Sequence, residues 1–218
     1  KGGGLYLLAG RGVGSFDAPV QISLGGGVTA IGKGKFNLGG SVEDVAVGIN
    51  GPEGPAIAVF DDQAGGILGA PAVYPVAAEA TSVALESFDG DVFYDVAAVT
   101  DSELQIIHGS GRNKINNLSS RVETIPLGFN ATALVAGNFV WDRKDNRELA
   151  VIASDGSVNV LQQETLDTRP YTEAEMAQMK ADRENGKYRS EDRDHLQFER
   201  GWRPGQAEWI SSGRVSAL

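Results

Sequence analysis

The sequence has no cysteine, only two histidines and only 7% aromatic residues in 218. Without cysteine there is no disulfide framework and no thiolate metal site. His108 and His195 each lack a second His or Cys at ligand spacing, which argues against zinc. No G-x-S-x-G elbow is present to turn Ser154, Asp155 and His195 into a triad. Gly10-x-Gly12-x-Gly14 lacks the following helix and downstream acid of a phosphate-cradling loop, so it reads as a turn. Apolar runs fall well short of the ~18 residues needed to span a bilayer. Basic residues are in deficit, 19 Lys and Arg against 29 Asp and Glu, for a net charge of −10. That balance argues against nucleic acid, because phosphate binding needs a basic face. No signal peptide is visible, and the chain opens in what reads as mid-repeat, KGGGLYLLAG. The expectation is a fragment or a processed piece of a longer polypeptide.

Glycine, by contrast, is plentiful at 29 residues, spread between short apolar runs. That pattern predicts many short strands joined by tight turns. Phe36, Phe88 and Phe139 lie 52 and 51 residues apart, and each begins a similar frame. The middle copy reads ESFDGDVFYDVAAVT from Glu86 to Thr100, a polar acidic loop running into an apolar strand. The others are GKFNLGGSVEDVAVG from Gly34 and GNFVWDRKDNRELAVIA from Gly137. A fixed period near 50 residues marks a stacked repeat. The first unit predicts strands at Val28–Phe36, Asp44–Ile49, Ala56–Phe60 and Ala72–Val76. The second predicts Thr81–Phe88, Asp95–Thr100, Leu104–His108 and Val122–Pro126. The third starts alike, with Thr132–Phe139, Glu148–Ala153 and Val158–Leu161. Upstream, Leu5–Ala9 and Pro19–Leu24 read as strands around a turn at Gly10–Ser15. Four short strands per ~50 residues is the signature of a β-propeller blade.

The pattern breaks after residue 163. Residues 164–203 hold ten Asp or Glu and eight Lys or Arg, too charged for a buried strand. Thr172 to Glu175 spells a capping box, and the helix formers behind it predict a helix at about 173–185. Trp209–Val215 then reads as a delayed fourth strand of the third blade. The expected organisation is a half blade at 1–27 and blades at 28–78 and 79–130. An interrupted blade at 131–163 plus 206–216 follows, with the charged insertion at 164–205.

These segments resemble the FG-GAP or VCBS repeat, the blade motif of integrin-α-type propellers. The resemblance rests on Gly12-Val13-Gly14-Ser15-Phe16 with the strand after it, and on Phe88-Asp89-Gly90-Asp91 followed by Asp95-Val96-Ala97-Ala98-Val99. It covers about residues 3 to 163. It implies an all-β partial propeller. The half blade leaves an unpaired sheet edge, so the expectation is a ring of roughly seven blades completed by the rest of a longer chain or by another subunit. In the family this loop often binds calcium, which takes several oxygen ligands. Asp89, Asp91 and Asp95 are the candidate ligands, although Ser87 replaces the first acid. The first loop has Lys35 at that position, and the third has Asn138, Asp142 and Glu148 at altered spacing. The alternative is that these carboxylates brace turns through backbone N–H groups.

The resemblance implies a non-catalytic binding or scaffold module on or outside a bacterial cell, extracellular, surface-bound or periplasmic, meeting protein or glycan through its loops. Trp141, Trp202 and Trp209 are the candidate partner-binding aromatics. The plainer role for Trp202 and Trp209 is to pin the insertion to the blades. The alternative function is a polysaccharide lyase or hydrolase with its site at the ring axis.

Overall fold

The computed structural model describes residues 3–36, 43–61, 66–88, 93–109, 122–140, 147–162, 167, 169–185 and, for the backbone, 208–214. Within them the protein is all-β apart from one 12-residue helix and a single 3-10 turn. The N-terminal part is one long, nested hairpin. β1 (Leu5–Leu7) pairs with β4 (Val20–Ile22), and β2 (Gly10–Gly12) pairs with β3 (Ser15–Phe16). Between the two ladders Asp17 N–H donates to the Ala9 carbonyl at 2.8 Å. The predicted turn over Gly10–Ser15 is therefore too long. Pairing continues to Gly12 and Ser15, because Gly12, Val13 and Gly14 all take left-handed φ and reverse the chain within a tight tip.

Three four-stranded antiparallel sheets follow, each in simple up-and-down order. The first holds β5 (Gly27–Gly34), β6 (Asp44–Gly51), β7 (Gly54–Phe60) and β8 (Ala72–Pro75). The second holds β9 (Ser82–Glu86), β10 (Asp95–Thr100), β11 (Glu103–Ile107) and β12 (Val122–Pro126). The third holds β13 (Ala131–Gly137), β14 (Glu148–Ala153), β15 (Ser157–Gln162) and β16 (Glu208–Arg214). These are propeller blades. β16 pairs with β15 from Gln162↔Glu208 to Ser157↔Arg214, so the chain returns after the charged segment to finish the third sheet. Gly213 sits within that strand. The helix, α1 (Glu173–Glu184), starts where the capping box places it. Thr172 N–H donates to Glu175 Oε2 at 2.8 Å, and Glu175 N–H donates back to Thr172 Oγ1 at 3.3 Å.

The first strands of neighbouring sheets run beside one another. Ser82 Oγ donates to the Leu134 carbonyl at 3.4 Å across the second and third sheets. Between the first and second, a Cβ on Gly32 would lie 2.9 Å from the Val83 carbonyl, so only glycine permits that approach. Three apolar layers separate the units. Leu5, Val47, Ile49, Ala58 and Phe60 lie between hairpin and first sheet. Ala46, Ile57, Val83, Leu85, Val96 and Ala98 lie between the first and second. Ala97, Val99, Leu104, Ile106, Leu149 and Val151 lie between the second and third. In the first two sheets the middle of the second strand is thus continuously apolar, because its alternate side chains serve two layers. At about 25 cal/mol per Å² of apolar area, these layers supply most of the folding free energy.

Candidate functional site

Each sheet begins its second strand with a buried acid, and each acid reaches back to the phenylalanine loop before it. Asp44 Oδ2 accepts the Phe36 N–H at 2.7 Å. Asp95 Oδ2 accepts the Phe88 N–H at 3.0 Å. Glu148 Oε2 accepts the Phe139 N–H at 2.7 Å and the Val140 N–H at 3.0 Å. All three residues are buried, which would be costly for a carboxylate without such donors. The longer Glu148 side chain spans the altered spacing of the third loop. Asp44, Asp95 and Glu148 therefore each brace a turn through backbone N–H groups.

The middle loop carries more. Asp95 has no exposed surface, and its second oxygen, Oδ1, accepts the Gly109 N–H at 3.0 Å. A Cβ at residue 109 would lie 2.3 Å from the Tyr94 carbonyl oxygen and 2.7 Å from that of Phe36, so glycine is required for the chain to pass. Next to it, His108 Nδ1 lies 3.4 Å from Asp95 Oδ1, and Nε2 lies 3.4 Å from Glu123 Oε2. One imidazole is thus flanked by two carboxylates, one from the start of β10 and one from β12. Burial pushes the Glu123 carboxyl above its ordinary value; the His108 hydrogen bond and charge partly offset this, and Asp95 adds to the rise. By register the positions opposite the loop-base acids of the other sheets hold Asp61, just after β7, and Gln162, the last residue of β15, so among these three positions only the middle sheet has an imidazole.

Of the predicted calcium ligands, Asp95 is placed as above, while Asp89 and Asp91 lie outside the described residues. Among the described residues no cluster of three or more His, Cys, Asp or Glu is arranged to hold a metal ion. Trp141 and Trp202 also lie outside them; Trp209 is in β16, opposite Leu161 in register. His108 and Glu123 were missed as a pair by sequence reasoning. The available signal was a histidine at the end of a strand whose counterparts end in Asp and Gln, opposite an acid on the next strand. No described helix is long and apolar enough to cross a membrane.

No family model matches this chain, and no curated protein matches it. A solved structure similar to it is described as the crystal structure of BBS1N in complex with ARL6DN, soaked with mercury. The two share 15% identity at a TM-score of 0.41, over 78% of this chain and 63% of that one.

Proposed function

We propose that this protein is a non-catalytic binding module of FG-GAP or VCBS type that presents loops to a protein or glycan partner outside a bacterial cell. The observation that supports this reading most is the use made of the loop-end carboxylates. Asp44, Asp95 and Glu148 are spent on backbone N–H groups, which makes each loop base a rigid mount and withdraws those acids from chemistry on a substrate. Rigid mounts beneath variable loops are what a recognition surface needs. The charged segment 164–205 is the part that departs from the repeat, and it is the element assigned to partner contact. Deletion of residues 165–203 tests this. Immobilised full chain and deletion variant are exposed to the same cell-envelope extract, and bound proteins are identified by mass spectrometry. The expected result is loss of the specific captures with the β-type circular dichroism signal retained and only the helical contribution of α1 lost. Identical captures from both chains would refute the assignment.

A second reading is favoured by the Asp95–His108–Glu123 chain, since a histidine held between acids is also an acid–base arrangement. On that reading the module cleaves a polysaccharide at the loop end of the middle sheet. Calcium at the middle loop would then be held by Asp89 and Asp91 beside Asp95. A glycan depolymerisation assay of wild type and Glu123→Gln separates the two: turnover lost in the variant favours the enzyme, and no turnover by wild type favours the binding module.

A further inference from the structure

The seams between units are not alike. Counted from the loop-base acids, Ala98 and Thr100 on β10 correspond to Val47 and Ile49 on β6 and to Val151 and Ala153 on β14. Gln105 of β11 lies opposite Ala98, where the sister sheets set Ala58 opposite Val47 and Asn159 opposite Val151. By alternation Gln105 and Thr100 share the Ala98 face, which packs on the first sheet. In the seam between hairpin and first sheet, the two places hold Ile49 and Ala58, both apolar and buried. In the seam between second and third sheets they hold Ala153 and a half-buried Asn159, whose Nδ2 donates to Ser157 Oγ at 3.5 Å. The seam between first and second sheets instead buries an amide and a hydroxyl, with Gln105 3% and Thr100 1% exposed. Neither Gln105 Oε1 nor Thr100 Oγ1 has a hydrogen-bond partner in the protein.

A third such oxygen lies at the same end of this seam. Thr29 Oγ1, on β5, is buried and has no hydrogen-bond partner either. It stands 2.7 Å from where a Cβ on Gly48 would be, and Ala80 Cβ stands 3.2 Å from the same point. Ala80 leads into Thr81, whose N–H donates to the carbonyl of Val99, the residue before Thr100. Left dry, each of the three oxygens lowers the folding equilibrium constant by roughly 5-fold or more. We infer that one ordered water molecule occupies this end of the seam, donating to Gln105 Oε1 and accepting from the hydroxyls of Thr29 and Thr100. A buried water makes about three hydrogen bonds, as many as these groups provide. All three groups are neutral, so they suit a neutral molecule and offer no counter-charge to an ion. The water ties β5 of the first sheet to β10 and β11 of the second. A satisfied polar bridge of this kind fixes the register of two sheets more narrowly than apolar contact does.

Oxygen-17 magnetic relaxation dispersion, which counts long-lived internal waters, tests the inference on the full chain. Wild type is expected to hold one such water more than the double variant Gln105→Met, Thr100→Val. Equal counts overturn the inference. Should the double variant not fold, Thr100→Val, which keeps the side-chain volume, takes its place in the count. Urea unfolding of wild type, the two single variants and the double variant supplies a second test as a mutant cycle. With a bridging water, either single substitution strands the remaining partners and should lower the folding constant at least ~5-fold. The double variant should lose less than the product of the two by at least ~3-fold. In a dry seam each apolar replacement removes an unpartnered oxygen, and both single variants would be more stable than wild type. That result overturns the inference. Losses that simply multiply overturn it too, because Gln105 and Thr100 would then share no water.

Discussion

The second and third sheets carry nearly the same apolar residues on the face turned to the following unit, yet one is buried and the other is not. Ala97 and Val99 have no exposed surface, because the third sheet lies on them. Ala150 and Ile152 occupy the same register positions, opposite strands of the same kind, and Ile152 is nearly half exposed. An apolar strand therefore states which faces can be covered, not which ones are. Burial is a property of the stack, and the energetic weight of a side chain depends on its place in it.

The sharpest way to break that comparison is to place the same charge on both faces. Val99→Asp buries an unpaired carboxylate between two sheets and should cost more than ~4 kcal/mol, enough to unfold the chain in a urea titration. Ile152→Asp should move the monomer's urea midpoint by no more than ~0.5 kcal/mol. Equal losses at the two sites would mean that the third sheet's outer face is covered within the monomer. Next in size is Gly109→Ala. Two backbone carbonyl oxygens stand where the methyl would go, and neither can yield without moving β10 or the Phe36 loop. A loss of about 2–3 kcal/mol is expected from such overpacking, against a few tenths for alanine at an unconstrained exposed site.

The loop-base acids extend the comparison to hydrogen bonding. Asp95 uses both oxygens, one for Phe88 N–H and one for Gly109 N–H, whereas Glu148 takes two backbone donors, Phe139 N–H and Val140 N–H, on Oε2. An amide supplies one carbonyl oxygen and one NH2 group. Asp95→Asn therefore sets an NH2 against a backbone N–H and should cost about 2 kcal/mol. Glu148→Gln can keep both bonds on its carbonyl oxygen and should lose about 1 kcal/mol, the charge assistance alone. If denaturant midpoints showed the reverse order, the assignment of oxygens to donors would be wrong.

Most of the β framework was legible because it is written in two local signals, period and parity. Asp95–Thr100, Val122–Pro126 and Glu148–Ala153 are strands over the very spans that alternation and turn residues predicted. The return of β16 after the charged segment was legible for the same reason, and Thr172 with Glu175 announced α1. What could not be read was anything set by long-range contact. Phe139 shares its frame with Phe36 and Phe88, yet it is half exposed while they are buried in the layers between sheets, and among the described residues no further sheet packs on its loop. The His108–Glu123 pair joins residues 15 apart through strand register, and no motif spacing marks such a pair. In the hairpin, Gly10 and Gly12 were taken for turn residues, although their backbone pairing continues the ladder. Glycine is ambiguous between those roles until the partner strand is known.

The smallest effect expected here is a dependence on pH, and it separates the middle sheet from its neighbours. Glu123 binds its proton more tightly in the folded chain than its ordinary value of 4.5 allows, chiefly because it is buried. As pH rises from 4.5 toward that raised value, the unfolded chain has already lost the proton that the folded chain retains. The folded state then holds more protons, so this group's contribution to stability falls through the window. Glu123→Gln has no such proton to lose. The difference in urea midpoint between variant and wild type should therefore shift in the variant's favour from pH 4 to pH 8, groups that do not interact with Glu123 titrating alike in both chains. A shift toward wild type would mean that the attraction of His108 for the ionised Glu123 outweighs the cost of burying it, and that the pair stabilises the middle sheet at neutral pH.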